Sequence, residues 1–107
     1  MATSAQTIAN LLDLLPPGTT HRRMFGEYAL YLGDRVVAFV CDDTLFIKPT
    51  PGARALLPEA EMAPAYPGSK DYIVAGDVLD DPSLLARVLR QVADETPPPK
   101  PKKAKRP

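Results

Sequence analysis

Histidine, cysteine and tryptophan are scarce in this chain of 107 residues, which has one histidine, His21, one cysteine, Cys41, and no tryptophan. A single histidine excludes a histidine-based metal cluster, and a single cysteine excludes a disulfide within the chain. One nucleophile remains possible, the thiol of Cys41 activated by His21 as a base. The apolar neighbours Phe39 and Val40 disfavour it, because a buried strand raises a thiol pKa and makes the cysteine a small hydrophobe.

Long apolar runs are also missing. No stretch approaches the roughly 20 apolar residues that a membrane-spanning helix needs. The first 17 residues lack the basic region followed by an apolar region that marks a secretory signal. We therefore expect a cytoplasmic protein with no membrane partner, and the chain length suits a single domain with one core.

The formal net charge of zero conceals a division along the chain. All 13 acidic residues lie before Pro99, together with 8 of the 13 basic ones, so residues 1–99 carry a formal charge of −5. The proline-rich segment 96–107 is predicted to be a disordered, extended tail that binds nucleic acid weakly and without sequence preference. Aiding solubility is the alternative role for this tail. Its cations are Lys100, Lys102, Lys103, Lys105 and Arg106.

The stretch from His21 to Lys48 predicts three consecutive strands joined by two tight turns. Gly33 at the first loop position fits a type II′ turn, whereas Asp42 and Asp43 tolerate positive φ less easily. The central strand has no polar face, so we expect helices on one side and further chain or a partner subunit on the other. This excess of apolar surface also predicts a symmetric homodimer. The apolar segments are Tyr28–Leu32, Val36–Cys41 and Leu45–Ile47.

The flanking sequence supplies helices and further strands. Periodic apolar residues predict a first helix, capped by Thr3 or Ser4, and a last helix, capped by Asp81. The segment Thr19–Phe25 should be extended, either as a separate strand or as the start of the next one. The other predicted elements are a short helix Gly52–Leu57, an edge strand Met62–Tyr66 and a strand Asp71–Ala75. The order of elements indicates an α+β domain with a single antiparallel β-sheet flanked by N- and C-terminal helices.

The segment Arg22–Lys48 resembles the N-terminal domain of the TfoX (Sxy) family, bacterial proteins that regulate natural competence. The shared residues include the run Arg22 to Gly26, the pair Leu30 and Tyr31, and the pair Asp42 and Asp43 with Leu45 and Lys48 after it. The resemblance implies the family's α+β fold over residues 1–95, followed by the tail 96–107. The C-terminal domain of full-length members has no counterpart here, so competence regulation is not implied for this chain by itself.

Several hypotheses about function remain open. The first is a non-enzymatic regulatory module that acts through an unidentified protein partner, with no catalytic residues, cofactor or metal. It follows from the resemblance and from the lack of a P-loop, a dinucleotide-binding glycine motif, zinc spacing or a nucleophile elbow. The second is a small ligand-binding domain or enzyme with a pocket near Arg22, Arg23 and Tyr28, which Lys48 could join across the sheet. The alternative for the two arginines is that one pairs with Asp42, Asp43 or Glu27 and the other is solvated.

Overall fold

The computed structural model describes residues 4–24 and 27–96, apart from the side chain of Met24. Six strands form one antiparallel sheet in the order β1-β2-β3-β4-β6-β5. The sheet is flanked by an N-terminal and a C-terminal helix, so the predicted fold class is confirmed. The elements are α1 (Ala5–Leu12), β1 (Thr19–Met24), β2 (Glu27–Leu32), β3 (Arg35–Cys41), β4 (Thr44–Ile47), α2 (Pro51–Leu56), β5 (Met62–Pro64), β6 (Asp71–Val74), a 3₁₀ helix (Asp77–Asp80) and α3 (Pro82–Glu95).

Strand alternation gives the sheet two faces of different character. All three helices pack on one of them, which we call the helical face; its buried side chains include Leu30, Ala38, Val40, Leu45, Ile47 and Ile73. They meet Ile8 and Leu11 of α1, Ala53 of α2, and Leu85, Val88, Leu89 and Val92 of α3. We call the opposite side the open face. Its apolar cluster is formed by Phe39, Cys41, Phe46, Ala63, Ala65, Tyr72 and Val74, which are sheet residues and one loop residue, without any described helix.

Both central turns have the backbone that their residues favour. Gly33 has φ +65° and Asp34 does not have positive φ, which fits the predicted type II′ turn. Asp42 and Asp43 have φ of +53° and +61°, so the second turn needs positive φ at both loop positions, as a type I′ turn does. Aspartate tolerates this conformation better than most residues, because its short side chain can bond locally.

A β-bulge in β3 changes the direction of the side chains near its start. Leu30 pairs with Ala38, but Tyr31 pairs with Val36, which leaves Val37 as an extra residue. Because side chains alternate along a strand, this insertion turns Arg35 to the helical face. There its guanidinium donates to the carbonyl of Ala93 at 3.0 Å, near the C-terminus of α3. The helix dipole favours a cation at this end.

The helices begin at the residues that the sequence predicted, to within one position. The side chains of Ser4 and Asp81 accept hydrogen bonds from Thr7 N and Leu84 N and so cap α1 and α3. Thr50 caps α2, which begins one residue earlier than expected, at Pro51. The 3₁₀ helix lies between β6 and α3, in a segment for which the sequence predicted neither helix nor strand. In the described part of the chain, no helix combines the length and the apolar character needed to cross a membrane.

Candidate interaction surface

The centre of the open face is apolar and aromatic. Phe39 and Phe46 are directly opposite each other on β3 and β4, and Val74 continues the row on β6. The ring of Tyr72 meets that of Phe39 edge to face, with 5.6 Å between centroids. Beside this cluster, Tyr66 is 55% exposed. Phe46 and Tyr72 are themselves only 8% and 7% exposed, so the cluster is a second, smaller core on this side of the sheet, and Tyr66 is the large apolar side chain exposed beside it.

Cys41 lies on this face rather than among the helices. Burial raises the pKa of its thiol, and the neighbouring carboxylates of Glu27 and Asp42 raise it further. His21 is on β1 and opposite Leu30, so it belongs to the helical face, whereas Cys41 belongs to the open face. The structure therefore does not bring the two together, and a protonated thiol is a poor nucleophile.

Carboxylates gather at the end of the open face beside Cys41. Glu27 accepts a hydrogen bond from the backbone N–H of Asp42 at 3.1 Å, which holds the start of β2 against the β3–β4 turn. Both acidic groups are close enough to Cys41 to act on its thiol. This end of the sheet is therefore negative.

Ammonium groups gather at the other end, where β4 ends and β6 begins. The Nζ of Lys70 lies 6.0 Å from the centre of the Tyr72 ring, at the limit of a cation–π contact. Lys48 is half-buried, and its Nζ donates to the hydroxyl of Thr96 at 3.5 Å. Burial lowers the pKa of Lys48, and the nearby charge of Lys70 lowers it further. Two like charges thus lie near one end of the sheet, with the Lys48 ammonium turned toward the C-terminus of α3 on the helical face.

The four predicted binding residues do not form one site. Arg22 pairs with Ala29, which pairs with Phe39, so Arg22 lies on the open face. Arg23 pairs with Tyr28 on the helical face, where the ring of Tyr28 is 5.7 Å from that of His21. Lys48 is at the C-terminal end of β4, three strands away from β1.

A shallow pocket of about 330 Å³ lies beside Arg22 and not beside Arg23. Its lining includes Thr20, His21, Arg22 and Tyr31, with the Gly33-Asp34 turn at its edge. Within residues 4–24 and 27–96 the ion pair that forms is Arg35 with Asp34, at 4.0 Å. The suggested pairing of one of the two arginines Arg22 and Arg23 with Asp42, Asp43 or Glu27 stays a prediction.

Sequence reasoning missed most of this surface. Sheet-face packing is the role that strand alternation predicts for Phe39 and Phe46, and their cluster with Tyr72 is indeed buried, but Lys70 and Glu27 were not considered as charged groups beside it. One signal was present, since Phe46 and Lys48 fall on one side of β4 by alternation while Leu45 and Ile47 fall on the other. The described residues contain no group of three or more His, Cys, Asp or Glu side chains arranged to hold a metal ion.

These observations define a small α+β protein with helices on one face of its sheet and a smaller aromatic cluster, with Tyr66 exposed beside it, on the other. The chain belongs to the TfoX N-terminal domain family, whose model matches residues 10–96. A relative from Spirochaeta aurantia, described as an uncharacterized 12.7 kDa protein in the trpE 5′ region, is 44% identical over 107 residues. That match includes 98% of this chain and 93% of the relative. No solved structure matches the chain.

Proposed function

We propose that this chain is a non-catalytic regulatory module that acts in the bacterial cytoplasm through protein contacts, and that the open face of its sheet is the contact surface. The observation that carries the proposal is Tyr66, an aromatic side chain that is 55% exposed beside the apolar cluster of Phe39, Phe46 and Tyr72, on a face without a described helix. Aromatic side chains supply much of the energy of protein interfaces, and a charged rim adds specificity.

The chemistry of the titratable groups on this face supports a binding role rather than a catalytic one. The thiol of Cys41 has a raised pKa, so little of it is thiolate at neutral pH. Burial also raises the pKa of the Tyr72 phenol, with smaller contributions from Tyr66 and Cys41. Both groups are held in the protonated form, in which neither is a base or a strong nucleophile.

Affinity capture from the native host tests the proposal when matched baits are compared. We expect a partner that the wild-type chain and an Arg90→Glu variant retain and a Phe39→Ser variant does not. Arg90 is an exposed residue of α3, so its reversal changes charge without altering the open face. Equal retention by the Phe39→Ser bait, once its circular dichroism shows that it is folded, would place the contact elsewhere.

A second candidate function is the binding of a small anion in the pocket beside Arg22. The guanidinium of Arg22 lines this pocket together with Tyr31 and Thr20, which offer hydroxyl groups. Thermal stabilisation by an anionic metabolite that Arg22→Ala abolishes would favour this function. Arg23→Ala, on the opposite face, is the matched control.

A further inference from the structure

The two edges of the sheet differ in length and in the way they are closed. One edge is β5, which has three residues and ends in Pro64, a residue without an N–H to donate. The other edge is β1, which has six residues and no proline. Within the described residues no further strand pairs with its outer side. Short strands and proline are common ways to close a sheet edge, and β1 uses neither.

The backbone of β1 is directed outward at alternate residues. The N–H of Thr19 donates to the carbonyl of Pro16 at 3.2 Å, so it is turned away from Leu32, its partner on β2. In an antiparallel strand the backbone groups of every second residue point to the same side. The N–H and C=O groups of His21 and Arg23 therefore also point away from β2, toward the side where another strand would bind.

Exposed basic side chains lie along this edge on both faces of the sheet. His21, Arg22 and Arg23 are consecutive, and all three are exposed. Arg22 is on the open face and Arg23 is on the helical face, because side chains alternate along a strand. The positive charge is local, since residues 1–99 have a formal charge of −5. The edge therefore suits a strand that carries negative charge.

A second copy of this chain does not suit the edge. Antiparallel pairing of β1 with the β1 of another copy brings the basic side chains of the two copies together, and like charges directly opposite each other destabilise a strand pair. An extended peptide with acidic side chains avoids this repulsion. Because Arg22 and Arg23 are on opposite faces, two consecutive acidic residues of such a peptide place one carboxylate beside each arginine.

We propose that the outer edge of β1 binds an extended peptide of a partner protein as an added strand, and that this peptide carries two consecutive acidic residues opposite Arg22 and Arg23. Backbone hydrogen bonds along the edge hold the peptide, and the two arginines select its charge. The pocket of about 330 Å³ beside Arg22, with Thr20 and Tyr31 in its lining, accepts a neighbouring side chain of the peptide. This site goes beyond the proposed function, because it does not depend on the contact proposed around Tyr66.

Fluorescence anisotropy tests the site with a defined probe, a labelled peptide of alternating threonine and valine with two consecutive glutamates at its centre. The full-length wild-type chain should bind this peptide, and it should bind a peptide with lysines in place of the glutamates at least about tenfold more weakly. Arg22→Glu and Arg23→Glu should each weaken binding about fivefold, because an attraction becomes a repulsion. Arg54→Glu is the matched control, since Arg54 is an exposed arginine of α2, and it should leave binding unchanged.

Methylation of the peptide backbone separates strand addition from attraction between charges. An added strand turns every second N–H toward β1 and the others toward water. Of two peptides methylated on alternate sets of amides, one should therefore keep most of its affinity and the other should lose binding.

Three results would overturn the proposal. Equal binding of the two methylated peptides would show that charge alone, including that of the tail, holds the probe. Binding that Arg23→Glu leaves unchanged would assign the contact to an anion site that needs Arg22 and not the edge. A wild-type chain that does not bind the unmodified peptide at about 1 mM would show that the edge is closed to an added strand.

Discussion

Asp43 joins two parts of the chain that are far apart in sequence. Its backbone has φ +61° and forms the second position of the β3–β4 turn. Its Oδ1 accepts hydrogen bonds from the backbone N–H of Ser4 at 2.9 Å and from the hydroxyl of Thr7 at 2.8 Å. Because Ser4 is the N-cap of α1, one carboxylate fixes the start of this helix against the turn.

These bonds predict a pH dependence of stability. The bond from Ser4 N–H and that from Thr7 lower the pKa of the Asp43 carboxyl below its usual 3.8. Because the pKa is lower in the folded state, the ionised carboxylate stabilises the fold fully when the pH is above the pKa of the unfolded chain. This contribution is lost as the pH falls through the pKa of the folded state. Asp43→Asn, which tolerates the same φ, should therefore be less stable than wild type at pH 7, and the difference should shrink at about pH 3.

Urea unfolding at the two pH values measures this difference. Asp42→Asn is the matched control, because Asp42 has the same charge and positive φ in the same turn, but its side chain does not bond to α1. An equal loss of stability in the two variants would show that the charge of the turn matters and the tie to Ser4 does not.

The sequence predicted the position of this turn but not the role of Asp43. Turn residues between two apolar segments are a local signal, and so is the glycine at the first position of the preceding turn. The bond to Ser4 depends on where α1 docks, 39 residues away in sequence. Residue propensities and apolar periodicity are local, so they do not predict that Ser4 and Asp43 come together in space.

Among the elements, α2 and α3 meet through a glycine. Both oxygens of the Glu95 carboxylate accept from the N–H of Gly52, at 2.9 and 3.2 Å, and Gln91 Nε2 donates to the same carboxylate at 3.1 Å. Gly52 is in the first turn of α2, where backbone N–H groups lack partners within the helix. The last turn of α3 thus supplies a hydrogen-bond acceptor for a backbone N–H in the first turn of α2.

Close approach explains the glycine, since its backbone does not need positive φ. A Cβ at this position would lie 2.5 Å from Gln91 Cγ and 2.6 Å from Glu95 Oε2. Gly52→Ala should therefore destabilise the fold, because the Gln91 and Glu95 side chains must move aside, but the cost should fall at the lower end of the roughly 1–3 kcal/mol of core overpacking, since these side chains are not packed in the core and alanine favours a helix by up to about 1 kcal/mol. Denaturant unfolding measures the change.

A second substitution separates crowding from other causes. In a Gln91→Ala background the nearest obstacle is gone, so Gly52→Ala should cost less than it does in the wild-type chain, giving a measurable coupling between the two sites. A cost that is the same in both backgrounds, or a gain in stability from Gly52→Ala alone, would contradict the contact.

The elements themselves were largely predictable, and their mutual contacts were not. Caps and periodic apolar residues marked α1 and α3, because these signals lie within a few residues of each helix end. The bulge at Val37 gave no such signal, yet it decides that Arg35 reaches the end of α3. The open face escaped prediction for the same reason, since Phe46 and Tyr72 come together only when β4 pairs with β6.

At the scale of the whole molecule, the charges are arranged in blocks. Thr96, the last described residue, is buried and lies against Lys48 at the ammonium end of the sheet. The tail continues from this point, and its structure lies outside the described residues. Its five cations therefore follow a part of the domain that is already positive, although residues 1–99 as a whole are negative.

This arrangement favours a test of the tail with DNA in which the chain keeps its full length. Glutamine at all five of Lys100, Lys102, Lys103, Lys105 and Arg106 removes the charge and leaves the prolines. If all five cations neutralise phosphates, the slope of log affinity against log salt should reach roughly −4.5 in the wild-type chain, at about 0.9 per phosphate. The negative charge of the domain should make the measured slope smaller in magnitude.

Titration of duplex DNA at about 50 and 200 mM salt then compares the two chains. We expect weak binding by the wild-type chain, without sequence preference, and loss of both affinity and salt dependence in the neutralised one. Arg22→Ala and Arg23→Ala should bind as the wild type does, because a single exposed arginine on each face of β1 is no phosphate track. DNA binding that survives neutralisation of the tail would contradict this view and shift the contact to Arg22, Arg23 and Lys48. Absence of binding by either chain would leave the tail with solubility as its role.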